Sequence, residues 1–202
     1  EGDESKYNLL FVEKDWLKPD FIKEVEEDTR LLLSIREQWF GAYKKVADLD
    51  PKLDCLVENI KRLLSENSER KIVIFSAYAD TVDYLGQAIR KAGVDRVYKY
   101  TAKDASKVNR DILRNNFDAG VKTDLQSNDY DVLVATDALS EGYNLHRAGV
   151  IFNYDIPFNP TRVIQRIGRI NRINKKVFDS LYVYNFFPTS IGEAETRIQQ
   201  IS

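Results

Sequence analysis

Methionine is missing from this chain, cysteine and histidine occur once each, and no apolar run approaches the length of a membrane span. Each absence removes a class of function. A lone cysteine, Cys55, makes no internal disulfide, so the fold must stand on its own core. Cys55 reads as a small buried hydrophobe in a reducing compartment. A lone histidine, His146, builds no His-rich metal site, no metal-ligand spacing is present, and no Ser–His–Asp or Cys–His set is in view. Without about 18 consecutive apolar residues no transmembrane helix is expected. The acidic, polar start, EGDESK, is no signal peptide, and a cytoplasmic protein is the expectation. The lack of methionine even at position 1 suits a segment of a longer protein. No Gly-Lys pair occurs either, so the loop G-x-x-x-x-G-K-[ST] that cradles nucleotide phosphates is absent.

What remains is an ordinary globular composition, 43% hydrophobic and 31% charged, with a net charge of −2. The charges are unevenly spread. Residues 1–60 hold fifteen Asp and Glu against nine Lys and Arg, whereas 162–176 holds four Arg, two Lys and no acid. A local basic stripe on a mildly acidic chain points to a confined anion site.

That stripe is "VIQRIGRINRI", 163–173. At about 100° per residue, Arg162, Arg166 and Arg169 fall within roughly a 60° arc, and Arg172 widens it to about 120°. Val163, Ile164, Ile167 and Ile170 take another arc. A bland surface helix would intersperse Glu for i,i+4 pairing; here the partner of the arginines is expected outside the helix and anionic. Gly168 in mid-helix costs about 1 kcal/mol relative to Ala, which close approach of a backbone or ligand would justify.

Along the chain, 19–48 reads as one long helix, with Trp16 and Trp39 as packing residues of this region. Asp50 and Pro51 then give an N-cap and first-turn proline for a second helix. From there the pattern changes. Short apolar runs at 71–76, 97–101, 131–136, 150–154 and 180–186 alternate with helical patterns at 79–92, 105–117 and 159–173, and 115–130 reads as a loop. Such alternation predicts an α/β fold, a parallel sheet covered on both faces. The expected division is a helical segment, 1–50, and an α/β lobe, 51–202. In such a sheet, function sits at the carboxyl ends of the strands. Those ends carry Ser76, Tyr78, Thr101, Thr136, Asp137, Asp155, Asn159 and the arginine helix. Asp137 also suits a helix N-cap, and Asp155 a structural partner for an arginine.

"KIVIFSAYADTVDYL", "VATDALSEGYNL", "NYDIPFNP" and "QRIGRINR" follow one another in an order and spacing that resembles the C-terminal RecA-like lobe of superfamily-two helicases and translocases. "TDALSEGYNL" is similar to their fifth motif and "QRIGRINR" to their sixth. The D-x-P-F-N-P stretch resembles Swi/Snf-like ATPases, most of all the bacterial RapA/HepA-like branch. The resemblance spans about 50–187. It implies a RecA-like fold and the second motor lobe of an ATP-dependent nucleic-acid motor. Gln165, Arg169 and Arg172 would face the γ-phosphate, the two arginines as fingers. Gly142 and Asn144 would approach the nucleotide. Ser76, Tyr78, Thr101 and Thr136 would line the nucleic-acid track. Asp155, with Arg166 and Gly168, would support the sixth motif. ATP and Mg²⁺ are the implied cofactors, the metal held by a first RecA-like lobe elsewhere in the same parent chain, and the resemblance favours double-stranded DNA over RNA. Two departures stand out: Asn144 where many helicases have Asp, and Asn174-Lys175 where the Swi/Snf pattern continues Gly-Gln. An inert lobe serving as a nucleic-acid- or protein-binding module is the alternative.

Overall fold

The computed structural model describes residues 13, 16–40, 50–140, 142–171 and 177–188. The chain divides into two compact units, Glu1–Leu49 and Asp50–Ser202.

In the first unit the described element is α1, Phe21–Phe40. The expected 19–48 helix is seen over these twenty residues, and 41–48 falls outside the described part. Trp16 and Trp39 are 76% and 45% exposed, which corrects their reading as packing residues. A single helix has one apolar stripe and here no second described element of its unit to bury it against.

The second unit is the α/β lobe. α2, Pro51–Glu66, starts where Asp50 accepts from the Leu53 amide at 3.0 Å. It buries Leu53, Leu56, Ile60 and Leu63. That 3–4 spacing leaves Cys55 on the outer side, exposed, which corrects its reading as a core residue. There follow β1 (Lys71–Ser76), α3 (Ala79–Lys91), β2 (Val97–Tyr100), α4 (Lys107–Phe117), β3 (Val132–Thr136), β4 (Ala148–Asn153), α5 (Pro160–Ile170) and β5 (Tyr182–Asn185). The strands form one sheet in the order β2-β3-β1-β4-β5, and every neighbouring pair is parallel. β1 lies at its centre and is buried from end to end, as a parallel strand covered on both faces must be. This is the expected RecA-like α/β architecture. On one face Val73, Phe75 and Leu133 pack with Leu113 and Phe117 of α4 and Ile170 of α5.

Two boundaries shift for physical reasons. β4 starts at Ala148, two residues ahead of the apolar run, because Gly149 belongs to the strand. A side chain there would stand 2.5 Å from Cγ of Arg70, which lies across the strand between the rings of Phe178 and Tyr182. α5 ends at Ile170, where the Asn171 amide closes the last turn on Ile167 O.

Candidate nucleotide and nucleic-acid half-site

The carboxyl ends of β1, β3 and β4 bring three segments together. From β3 the chain enters a short 3₁₀ turn, Asp137–Ser140. From β4 it runs through Asp155 to Asn159, whose side chain caps α5 by accepting from the Thr161 amide at 2.9 Å, with Pro160 in the first turn.

Arg166 ties these segments into one body. It is fully buried. Its Nε donates to Asp137 Oδ1 at 2.7 Å and its Nη2 to Asp137 Oδ2 at 2.9 Å, a two-pronged grip on one carboxylate. Nη1 donates to Asn153 Oδ1 at 2.8 Å and to the Asp155 carbonyl at 3.2 Å. The guanidinium carbon lies 5.0 Å from the centroid of the Phe75 ring. The cationic arc of the sequence is therefore split. Arg166 turns inward to an internal anion, while Arg162, its side chain 59% exposed, approaches the same Asp137 only to 3.6 Å. Asp137 acts here as the counter-charge of α5.

With Arg166 directed inward, Thr161, Ile164, Gln165 and Gly168 form the exposed side of α5, and Arg169 is half-buried beside them. A Cβ placed on Gly168 would meet none of the described residues within 4 Å, so no described neighbour requires glycine there. The Arg169 carbonyl accepts the Leu145 amide at 3.0 Å, which ties the 142–145 segment to the end of α5. Gly142 has φ +94°, a conformation that favours glycine. Arg172 lies outside the described residues.

The other expected site residues differ in how free they are. Tyr78 is 67% exposed, and Thr136 is half-buried at the end of β3. Ser76 is buried, its hydroxyl donating to Asp155 Oδ2 at 2.5 Å. Thr101 is buried too, its hydroxyl and amide both donating to Asp104 Oδ2, at 2.8 and 2.7 Å. The Asp155 carboxylate thus serves Ser76, and its main-chain carbonyl is what meets the sixth-motif arginine.

A cavity of about 720 Å³ opens between α4 and the 142–144 segment. Lys107, Arg110 and Arg114 line it from the helix, Gly142, Tyr143 and Asn144 from the loop, and Asp111 and Asp118 temper its charge. Tyr143 in its lining is braced by a 2.8 Å hydrogen bond between its hydroxyl and that of Tyr100. Burial, then that bond, push the Tyr100 phenol well above its ordinary range. This basic wall escaped the sequence reading. Its signal was present, since cations at 107, 110 and 114 share one helix face. No cluster of His, Cys, Asp and Glu able to hold a metal occurs among the described residues.

Residues 52–174 match the helicase conserved C-terminal domain. The chain belongs to that family. Over an alignment of 149 residues the chain is 31% identical to YqhH, an uncharacterized ATP-dependent helicase of Bacillus subtilis (strain 168). The match takes in 69% of this chain but only 24% of YqhH. Among solved structures, the C-terminal part of the Fun30 ATPase domain aligns with a TM-score of 0.61 at 16% identity, over 92% of this chain and 55% of that one. The Hef helicase domain of Pyrococcus furiosus aligns at 0.55 and 20% identity, over 90% and 33% of the two chains. Dbp5 of S. cerevisiae, solved bound to RNA and ADP BeF3, aligns at 0.53 and 23%, over 74% and 36%. At these identities the likeness is one of fold.

Proposed function

We propose that this helicase C-terminal domain is the second motor lobe of an ATP-dependent nucleic-acid translocase of the RapA/HepA-like branch, acting on double-stranded DNA. The observation that carries the reading is the division of labour on α5. Arg166 is consumed by Asp137 and Asn153, and this fixes the helix with Gln165, Gly168 and Arg169 toward its outer side. A helix that spends one arginine to orient the next serves a ligand beyond the lobe. That ligand is the γ-phosphate of an ATP held mainly by the first lobe of the same protein, with Arg169 and Arg172 as fingers and Gln165 beside them. Guanidinium groups suit the task, being planar, permanently charged and bidentate. Gly142 and Asn144 approach the nucleotide. The Mg²⁺ that accompanies ATP is held by the first lobe.

The nucleic-acid track runs over Thr136, Tyr78 and the wall of Lys107, Arg110 and Arg114. These groups suit phosphates better than base edges, as a motor that moves along any sequence requires. Ser76 and Thr101, whose hydroxyls are already committed, shape the track from beneath. The test is stimulation of ATP turnover by the full-length protein. Duplex DNA should stimulate more than single-stranded DNA or RNA. Equal stimulation by RNA would move the substrate to another class, and no stimulation by any nucleic acid would overturn the motor reading.

A further inference from the structure

The first turn of α2 grips two neighbours at once. Asp50 Oδ1 accepts the Leu53 amide at 3.0 Å, while its Oδ2 accepts the Tyr84 hydroxyl of α3 at 2.7 Å. Lys52, in the same turn, reaches toward the carboxyl end of β4. Its Nζ stands 3.5 Å from Asp155 Oδ1 and 3.9 Å from the centroid of the Tyr154 ring, with the Phe186 centroid at 5.8 Å. Tyr154 is itself nearly buried, so the cation lies over a fixed ring face.

Asp155 divides its two oxygens. Oδ1 faces Lys52, and Oδ2 accepts from Ser76 Oγ at 2.5 Å and the Ala77 amide at 3.4 Å. Ser76 Oγ in turn accepts the Tyr78 amide at 3.2 Å. The Asp155 carbonyl accepts from Arg166. One residue thus joins the start of α2, the turn after β1 that presents Tyr78, and the arginine that orients α5. A half-exposed ion pair adds little to folding. Held from one side only, however, the carboxylate could swing about its terminal torsion, which is broad and soft. Lys52 holds it from the other side.

We infer that Lys52 is a positioning residue for the motor chemistry. It fixes Asp155, and through Asp155 the Ser76–Tyr78 turn and the seat of Arg166. This inference rests on the motor reading above for its catalytic consequence, while its structural half stands without it.

Two measurements test it. In the 202-residue chain, Lys52→Met keeps the aliphatic stem and removes the charge. Amide hydrogen exchange at Ala77 and Tyr78 should quicken by about tenfold, with core strand amides unchanged, as a local opening requires. In the full-length protein, Lys52→Met should lower nucleic-acid-stimulated kcat by about tenfold with KM for ATP unchanged, the scale of a small misplacement of reacting groups. Lys52→Arg should restore most of both. If Lys52→Met fails to fold, Lys52→Gln, Asp155→Asn and their combination carry the test, and the double variant should be no worse than Asp155→Asn alone. Wild-type exchange at Ala77 and Tyr78 in Lys52→Met, or additive losses in the double variant, would overturn the inference. A wild-type protein without nucleic-acid-stimulated turnover would sink the motor reading instead, and the exchange measurement would still decide the role of Lys52.

Discussion

Arg166 and Arg169 stand three residues apart on one helix and answer to different physics. Arg166 is a buried cation whose three guanidinium nitrogens all donate hydrogen bonds, and Asp137 is its main counter-charge. Removing one member of such a pair strands the other, at a cost of about 3–5 kcal/mol. Arg166→Ala should therefore lower the urea midpoint of this chain sharply, and loss of a few tenths of a kcal/mol only would mean that Asp137 finds solvent unaided. Lys71 makes a second residue-scale prediction. Burial first, and then the charge of Arg147, lower its ammonium from 10.5 to about 8, and its Nζ donates to the Tyr130 carbonyl at 2.6 Å. Between those two values the unfolded chain binds more protons than the folded one, so stability from this group rises with pH above about 8 and levels off near 10.5. Chemical denaturation of wild type and Lys71→Met across pH 7.5–9.5 should show the upward slope in wild type alone. Parallel curves would remove Lys71 as its source.

At the scale of elements, α5 is where sequence and structure can be compared most closely. Its amphipathic pattern, its Asn159-Pro160 start and its place after a strand were legible, because they depend on local chemistry and helical periodicity. The inward turn of Arg166 was not. A helical wheel groups Arg162, Arg166 and Arg169 together, and only the arrival of Asp137, 29 residues earlier in the chain, makes burial of one of them favourable. The same holds for Ser76 and Thr101: a hydroxyl at a strand end reads as available until a carboxylate from elsewhere takes it. β1, β3 and β4 were readable as apolar runs because the sheet buries both their faces, while Gly149 hid the start of β4 for want of a side chain to signal it. Gly168 yields the prediction for this helix. No described residue of the lobe crowds its missing Cβ, so Gly168→Ala should stabilise the chain by up to about 1 kcal/mol. In the full-length protein the same change should slow ATP turnover, because the space belongs to a ligand. A stabilised variant with undiminished turnover would leave Gly168 without a functional reason.

For the whole molecule, a half-site has consequences that a complete site does not. The described residues include a basic wall and a fixed arginine helix, and they include no cluster for a metal. The 202-residue chain should bind nucleic acid weakly, with log K falling against log salt by only a few units per decade, since few phosphates can be contacted. Tight, sequence-selective binding that survives high salt would favour a binding module over a motor lobe. The most direct measurement of the central claim is steady-state ATP turnover by the full-length protein carrying Arg169→Ala, with Arg169→Lys and Arg162→Ala beside it. Arg169→Ala should lower kcat by about 10³-fold or more, the scale of a lost arginine finger. KM for ATP should change far less, because the group acts on charge that develops in the transition state. Lysine should not rescue, lacking the planar fork. Arg162→Ala should have a much smaller effect on turnover. An Arg169→Ala protein that unfolds, yet whose folded fraction turns over ATP at the wild-type rate, would contradict the account and make this arginine a brace of the fold.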